Sequence, residues 1–283
     1  MPELPDLLYI NRYLNEHLAG RSVTGCEIRQ PVVLRLAIDQ PPEEMLAGRK
    51  IVSSRIRGPF IRVLLSPGAE VILNLMLAGR LQHQKPGGKA EGYRCLSLFL
   101  DDSSALHLCD QKLMAKVYIV PEGKTSSIPR YDEQGTDVLS AQFTFDHFEE
   151  LSTRNRRKQV RVFLTDQRSL SAIGNAYADE ILFEAGIHPK TFLRNLDSAM
   201  IRRLYGAIGD VLARGADAVR SAGKPIQVKV RNHMKVRNRK GEPCPRCGDT
   251  IRREGVRGYD VFFCPTCQPP TRDLFLDWRN IPS

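Results

Sequence analysis

Two groups of residues have types and spacing that could support chemistry. The chain starts MPELPDLLYI, which puts Pro2 and Glu3 directly behind Met1. Read locally, Pro-Glu-Leu-Pro is a turn before a helix. Read chemically, removal of Met1 turns Pro2 into a free secondary amine with a carboxylate beside it. The second group lies near the other end, where Cys244 and Cys247 are separated by Pro-Arg and Cys264 and Cys267 by Pro-Thr, with 16 residues between the pairs. A two-residue spacer lets both thiolates of a pair face one point, and two such knuckles complete a tetrahedron. This is the spacing of a four-cysteine zinc site. With four protein ligands the site is closed, so one structural Zn2+ per chain is expected, holding the intervening TIRREGVRGYDVFF as a β-hairpin that turns near Gly255 to Gly258. Four unrelated thiols, or a redox dithiol made twice, fit this spacing less well. Cys26, Cys95 and Cys109 have no metal spacing. His107, two residues before Cys109, allows a second metal site, against which stands an ordinary strand pair.

The elements that would position these residues show in the hydrophobic pattern. Leu7, Ile10, Leu14 and Leu18 fall at helical spacing over residues 6–18, with Asp6 suited to the first turn. From about residue 22 to 120 the pattern becomes that of short strands, RKIVSSRI, FIRVLLS, EVILNLML, YRCLSLFLDD and ALHLCDQKLMAKVYIV, punctuated by turn residues. An antiparallel β-sandwich with the first helix packed beside it is expected. Residues 121–142 are polar with Pro and Gly, the composition of a linker. Four helical patterns follow within 143–239: FTFDHFEELS, RKQVRVFLTDQ, IGNAYADEILFEAG and DSAMIRRLYGAIGDVLARGADAVRSA. A cysteine-bearing module occupies 240–270. The fold class is thus α+β: helix and sandwich (1–120), linker, helical domain and zinc finger.

The 283 residues suit two domains, and hydrophobic and charged contents of 42% and 26% are ordinary. The charge balance is not: 42 Lys and Arg against 32 Asp and Glu give a net charge of +10. Such an excess favours a polyanionic partner. Without a membrane-length apolar run, that partner is expected to be nucleic acid. With no export signal and an odd count of seven cysteines, a cytoplasmic, nucleoid-associated protein with reduced thiols is expected. Ten cations fall between Lys229 and Arg257 against Glu242, Asp249 and Glu254, and a second run comprises Arg154, Arg156, Arg157, Lys158 and Arg161. Either run alone is a solvated face; two runs flanking a zinc hairpin point to phosphate contacts.

MPELPD, AIGNAYADEILFEAGIHP and RKGEPCPRCG…FFCPTCQ, in this order, resemble the formamidopyrimidine-DNA glycosylase and endonuclease VIII family over nearly the whole chain. The resemblance implies a β-sandwich carrying a catalytic N-terminus, a helix–two-turn–helix domain with a zinc finger, and double-stranded DNA with a damaged base or abasic site bound between them by a monomer. It implies that the Pro2 amine attacks C1′ of the damaged nucleoside, giving an iminium, release of the base, and strand cleavage by β-elimination, often followed by δ-elimination. The chemistry suits the residue, since an α-amino group titrates at about pH 8 and so keeps a neutral fraction. A secondary amine still condenses to an iminium, as a lysine does to a Schiff base. Glu3 would protonate the opening sugar and shuttle protons. Asn175 matches the phosphate-binding asparagine of the helix–two-turn–helix, where Gly-Asn alone could merely cap a helix.

The chain departs from the family pattern at several contacts. Pro59 stands where the family has a phosphate-binding lysine, with Arg57 and Arg62 as neighbouring cations. Tyr259 takes the place of the hairpin arginine that reaches the lesion, with Arg257 two residues away. Asn74 replaces a phosphate-binding histidine. Leu77 replaces the intercalating methionine, next to Met76, and Lys112 and Met114 replace the arginine and phenylalanine that fill the gap left by the flipped nucleotide. The expectation is a base-excision glycosylase and abasic-site lyase with diverged lesion choice. The alternatives are a damaged-DNA recognition protein that does not cut, and an RNA-binding zinc-ribbon protein. The last accounts for the charge and cysteines but not for Pro2 and Glu3.

Overall fold

The structure is a computed structural model and describes residues 1–36 and 40–270. In chain order the elements are α1 (Leu4–His17), β1 (Val23–Ile28), β2 (Leu34–Leu36), α2 (Pro42–Leu46), β3 (Lys50–Arg57), β4 (Phe60–Ser66), β5 (Ala69–Asn74), β6 (Arg80–Gln84), β7 (Arg94–Leu100), β8 (Ala105–Cys109) and β9 (Lys116–Pro121). Helices α3 (Phe145–Arg154), α4 (Val160–Leu164), α5 (Asn175–Ala185) and α6 (Ser198–Ser221) follow, then the hairpin strands β10 (Arg252–Val256) and β11 (Tyr259–Phe263). They form two compact units. One is Met1–Gln134 with Ala216–Val230, the other Gly135–Gly215 with the described residues from Arg231 onward.

In the first unit, sheets of order β1-β7-β8-β6 and β2-β9-β5-β4-β3 face each other. Val63, Val71 and Leu73 meet Leu96, Leu98 and Leu106 between the layers. The expected sandwich is therefore present, with one departure from antiparallel order: β2 runs parallel to β9. The single apolar run read over 105–120 is two strands, β8 and β9, in different sheets. Helix α1 starts with a capping box, in which the Glu3 N–H donates to Asp6 Oδ2 at 2.9 Å. It buries Leu7, Ile10 and Leu14, each worth about 1.5–3 kcal/mol of burial. Within the expected linker, Ile128 and Tyr131 are buried against Phe60, Ile72 and Tyr118.

His107 gives no sign of metal binding. Its Nδ1 meets Ser97 Oγ at 2.8 Å and its Nε2 meets Gln84 Oε1 at 3.0 Å, so both ring nitrogens are engaged in strand packing.

The four expected helices form, α3 to α5 in the second unit and α6 with its last turns in the first. Helix α5 ends at Gly186, whose φ of +68° supplies the left-handed C-terminal cap that glycine adopts without strain. The hairpin packs on α5 through Phe183, which shares a buried cluster with Val236, Ile251, Phe262, Cys244 and Cys264.

Candidate nucleic-acid interface and metal centre

The cysteines satisfy the geometry of one metal ion. The four sulfurs lie within 4.8 Å of one another. Cys244 Sγ is 3.8 Å from Cys267 Sγ, and Cys247 Sγ is 3.5 Å from Cys264 Sγ. Tetrahedral zinc with bonds of about 2.3 Å sets its sulfurs about 3.8 Å apart, so the residues fit. Backbone N–H groups of Arg246 and Cys267 point at Cys244 Sγ and Cys264 Sγ at 3.4 and 3.5 Å, favouring the thiolates. The strands pair from Arg252↔Phe263 to Val256↔Tyr259, leaving Arg257 and Gly258 as the two-residue turn. Both turn residues have positive φ, +48° and +80°, the pattern of a hairpin turn that matches strand twist. Arg257 is thereby displayed at the tip, and Tyr259 opens β11 with 58% of its surface exposed.

In the second unit, one buried network joins this hairpin to α5. Asp179, on α5, takes Arg237 NH1 at 2.7 Å and Arg161 Nε at 3.3 Å, and its Oδ2 also accepts the Phe262 N–H at 3.3 Å. Arg161 NH2 reaches Asn175 Oδ1 at 3.0 Å and the Asp260 carbonyl at 3.3 Å. A guanidinium only donates, so it fixes the Asn175 oxygen inward and leaves the amide N–H2 as the outward donor. Burial pushes the Asp179 carboxyl up to about 6, against the pull of both arginines. Glu180 accepts the N–H groups of Lys235, Val236 and Arg237 at 2.8–2.9 Å, folding residues 235–237 onto α5.

The cations of the two basic runs differ in their settings. Arg161 is 2% exposed and structural. Arg154 pairs with Glu150, Lys158 with Asp166, Lys235 with Glu184, Arg239 with Glu242 and Arg253 with Asp260. Charge counting alone could not distinguish these roles, because a count does not say which carboxylate meets which cation.

The remaining expected residues belong to the first unit. Pro2 and Glu3 are buried, and Pro2 lines a small pocket with Asp6, Leu75, Arg80 and Lys229. Asn74 ends β5, and its Oδ1 accepts the Met76 N–H at 3.1 Å, turning the chain so that Leu77 is 55% exposed. Beside it, Asp110 accepts the N–H groups of Lys112, Met114 and Ala115 at 2.8–2.9 Å, shaping the loop that carries Lys112 and Met114. The two loops abut at Gly79, where a Cβ would sit 2.5 Å from the Leu75 carbonyl oxygen and 3.0 Å from Ala115 Cβ. Asp110, Arg80 and the placement of Lys229 were missed from sequence; no local spacing marks them.

The neighbouring cations do not simply replace a lysine at Pro59. Gly58 and Pro59 form the turn between β3 and β4. Arg57 donates to the Gln134 carbonyl at 3.4 Å. Arg62 forms a two-bond pair with Glu70 at 2.6 and 2.5 Å.

Comparison with known proteins decides the lineage. Three family models match in succession. The formamidopyrimidine-DNA glycosylase N-terminal domain matches residues 1–117, the formamidopyrimidine-DNA glycosylase H2TH domain matches 134–228, and the zinc finger found in FPG and IleRS matches 241–270. The chain belongs to the formamidopyrimidine-DNA glycosylase family. It is 32% identical over 274 residues to the formamidopyrimidine-DNA glycosylase of Pelotomaculum thermopropionicum, covering 95% of this chain and 99% of that protein. The enzyme of the same name from Chloroflexus aggregans is 32% identical over 280 residues, covering 95% and 98%. Among solved structures, the MutM (FPG) protein of Thermus thermophilus has a TM-score of 0.81 at 28% identity, over 94% of this chain and 98% of that one. The Lactococcus lactis Fpg in complex with abasic-site DNA has a TM-score of 0.85 at 22% identity, over 95% and 100%, a likeness of fold. A family zinc finger with four cysteines positioned for one metal ion is thus present. Among the described residues no helix is long and apolar enough to cross a membrane.

Proposed function

We propose that this chain is a base-excision glycosylase with abasic-site lyase activity, acting through the Pro2 amine on duplex DNA that carries a damaged base or an abasic site. The observation that carries the reading is the setting of the N-terminus. Pro2 lines a pocket with Asp6, Arg80 and Lys229, and Glu3, next in the chain, is held by the capping box of α1. With Met1 present, Pro2 nitrogen is an amide and cannot attack; the Met1 amine stands one residue away from the group that would react. Burial first, and Lys229 next, push that amine down to about 5, with Glu3 opposing. The same surroundings favour a neutral, nucleophilic amine on Pro2 once Met1 is removed.

In the glycosylase step the nitrogen lone pair forms a bond to C1′ while the bond from C1′ to the base breaks, and the base leaves as an anion. The bonded nitrogen, now positively charged, gives up its proton, which the base takes, and the sugar ring opens as Glu3 protonates the ring oxygen, giving the iminium. Loss of a C2′ proton expels the 3′ phosphate, which is β-elimination; hydrolysis of the iminium returns the amine. Asn175 and the outward donors of the second unit, Arg257 among them, bind phosphates, while Leu77, Lys112 and Met114 occupy the space of the displaced nucleotide. Pro59, Asn74 and Tyr259 support altered lesion choice, because each changes the donor or charge that the family offers at that contact. This reading implies a monomer working on chromosomal DNA in the cytoplasm, at the nucleoid.

The test is borohydride reduction of the Met1-processed protein with a duplex carrying one abasic site. A covalent protein–DNA adduct is expected, and Pro2→Gly should reduce or abolish strand cutting while DNA binding persists. Tight binding with no adduct would replace this reading with that of a recognition protein that does not cut.

A further inference from the structure

The cationic run that begins at Lys229 reads in sequence as part of the basic surface around the zinc finger. In space its first member belongs elsewhere: Ala216–Val230 is part of the first unit. The segment after α6 is docked there, since Tyr9 Oη on α1 donates to the Lys224 carbonyl at 2.8 Å and Ile226 is buried. Lys229 Nζ consequently lies 3.4 Å from the Met1 carbonyl oxygen. That oxygen is bonded to the same carbon as the Pro2 nitrogen, so the ammonium sits beside the atom that becomes the free amine. We propose that Lys229 tunes the nucleophile, its positive charge holding the processed Pro2 amine neutral and so supplying near the reaction centre a cation that the sequence lacks at Pro59. The inference rests on the lyase reading above.

The physical basis is the interaction of like charges. Two cations a few ångströms apart in a partly desolvated pocket repel, and the more acidic of the two releases its proton. The charged groups facing the terminus are Glu3, which caps α1, Asp6 from α1, Arg80 from β6 and Lys229. Glu3 works against deprotonation. Arg80 works with Lys229 but more weakly, and its NH1 is engaged with the Gly79 carbonyl at 2.6 Å. Asp6 accepts the Glu3 N–H at 2.9 Å in the capping box. At the Met1 amine, one residue before the Pro2 nitrogen, Lys229 is the strongest cationic influence, acting in the same direction as burial. It is a positioning and tuning residue, because it need not exchange a proton or bond with the substrate. Arg57 and Arg62, the cations closer in sequence to Pro59, are tied to Gln134 and Glu70.

The experiment uses the full processed chain labelled with 15N-proline. Only Pro2 carries a titrating nitrogen, so its chemical shift reports the amine directly, without DNA. Lys229→Met and Lys229→Gln should each raise the midpoint by about one unit, and Lys229→Arg should leave it nearly unchanged. With abasic duplex and borohydride, both neutral variants should trap about tenfold more slowly at a pH about one unit below the parent's own midpoint, yet match the parent near pH 9.5, where the amine is neutral in each. Melting temperature and zinc content of each variant exclude a folding defect. A midpoint that does not move in the neutral variants, or that moves equally in Lys229→Arg, overturns the proposal. If the parent forms no adduct but its midpoint still responds to the charge at residue 229, the tuning stands and the lyase reading falls.

Discussion

Arg161 is the residue whose role changes most between sequence and structure. It lies in a string of cations, yet one guanidinium bridges the Asn175 side chain and the Asp260 carbonyl of β11. The residue expected to hold phosphate and the strand that displays Tyr259 are therefore positioned by the same buried group. Asp179 makes this arrangement possible by balancing Arg161 and Arg237. Removing the charge of Asp179 while keeping its shape leaves two guanidiniums without a buried counter-charge. Asp179→Asn should therefore cost about 3–5 kcal/mol, checked by urea unfolding of the zinc-loaded protein. A loss below about 1 kcal/mol would mean that the arginines find other acceptors.

At the scale of elements, the zinc hairpin is too short to hold itself. A two-stranded hairpin is marginal alone in water, and β10 and β11 contribute five residues each. Their order comes from the metal knuckles on one side and from Phe262 packed near Phe183 on the other. Cys244→Ser should therefore abolish stoichiometric zinc, measured by metal analysis, and weaken DNA binding by about tenfold or more, measured by fluorescence anisotropy. Full affinity without metal would show that the hairpin does not depend on its knuckles. The Asp110 loop is built on the same principle without a metal: one carboxylate gathers three N–H groups and thereby sets Lys112 and Met114.

At the scale of the molecule, a net charge of +10 overstates the cations available to DNA. Many arginines and lysines of the two basic runs are held by carboxylates, whereas Arg157, Lys240 and Arg257 form no ion pair among the described residues. Affinity for duplex DNA should fall linearly in log–log form with salt, and each phosphate-contacting cation should contribute about 0.9 to the slope. Arg257→Ala should lower that slope by about one and weaken binding evenly across sequences, in a salt titration. An unchanged slope would remove the hairpin tip from the phosphate-binding surface.

The sequence by itself determined the features that depend on short-range spacing. The zinc knuckles, the hairpin between them, α1 and α5 follow from residues a few positions apart, because ligand geometry and helical period are local constraints. The family was legible for the same reason: its three motifs are contiguous. Strand boundaries were harder. Asn74 and Asp110 end strands through side-chain bonds to nearby N–H groups, which an apolar run does not reveal, and the parallel pairing of β2 with β9 joins segments some 80 residues apart. Only the tertiary structure decided which cations face solvent and which are spent inside, because a charge acquires its role from its partner. Asp179 turns Arg161 into a buried strut. The docking of residues 222–230 against α1 carries Lys229 to within 3.4 Å of the Met1 carbonyl, 228 positions away in the chain.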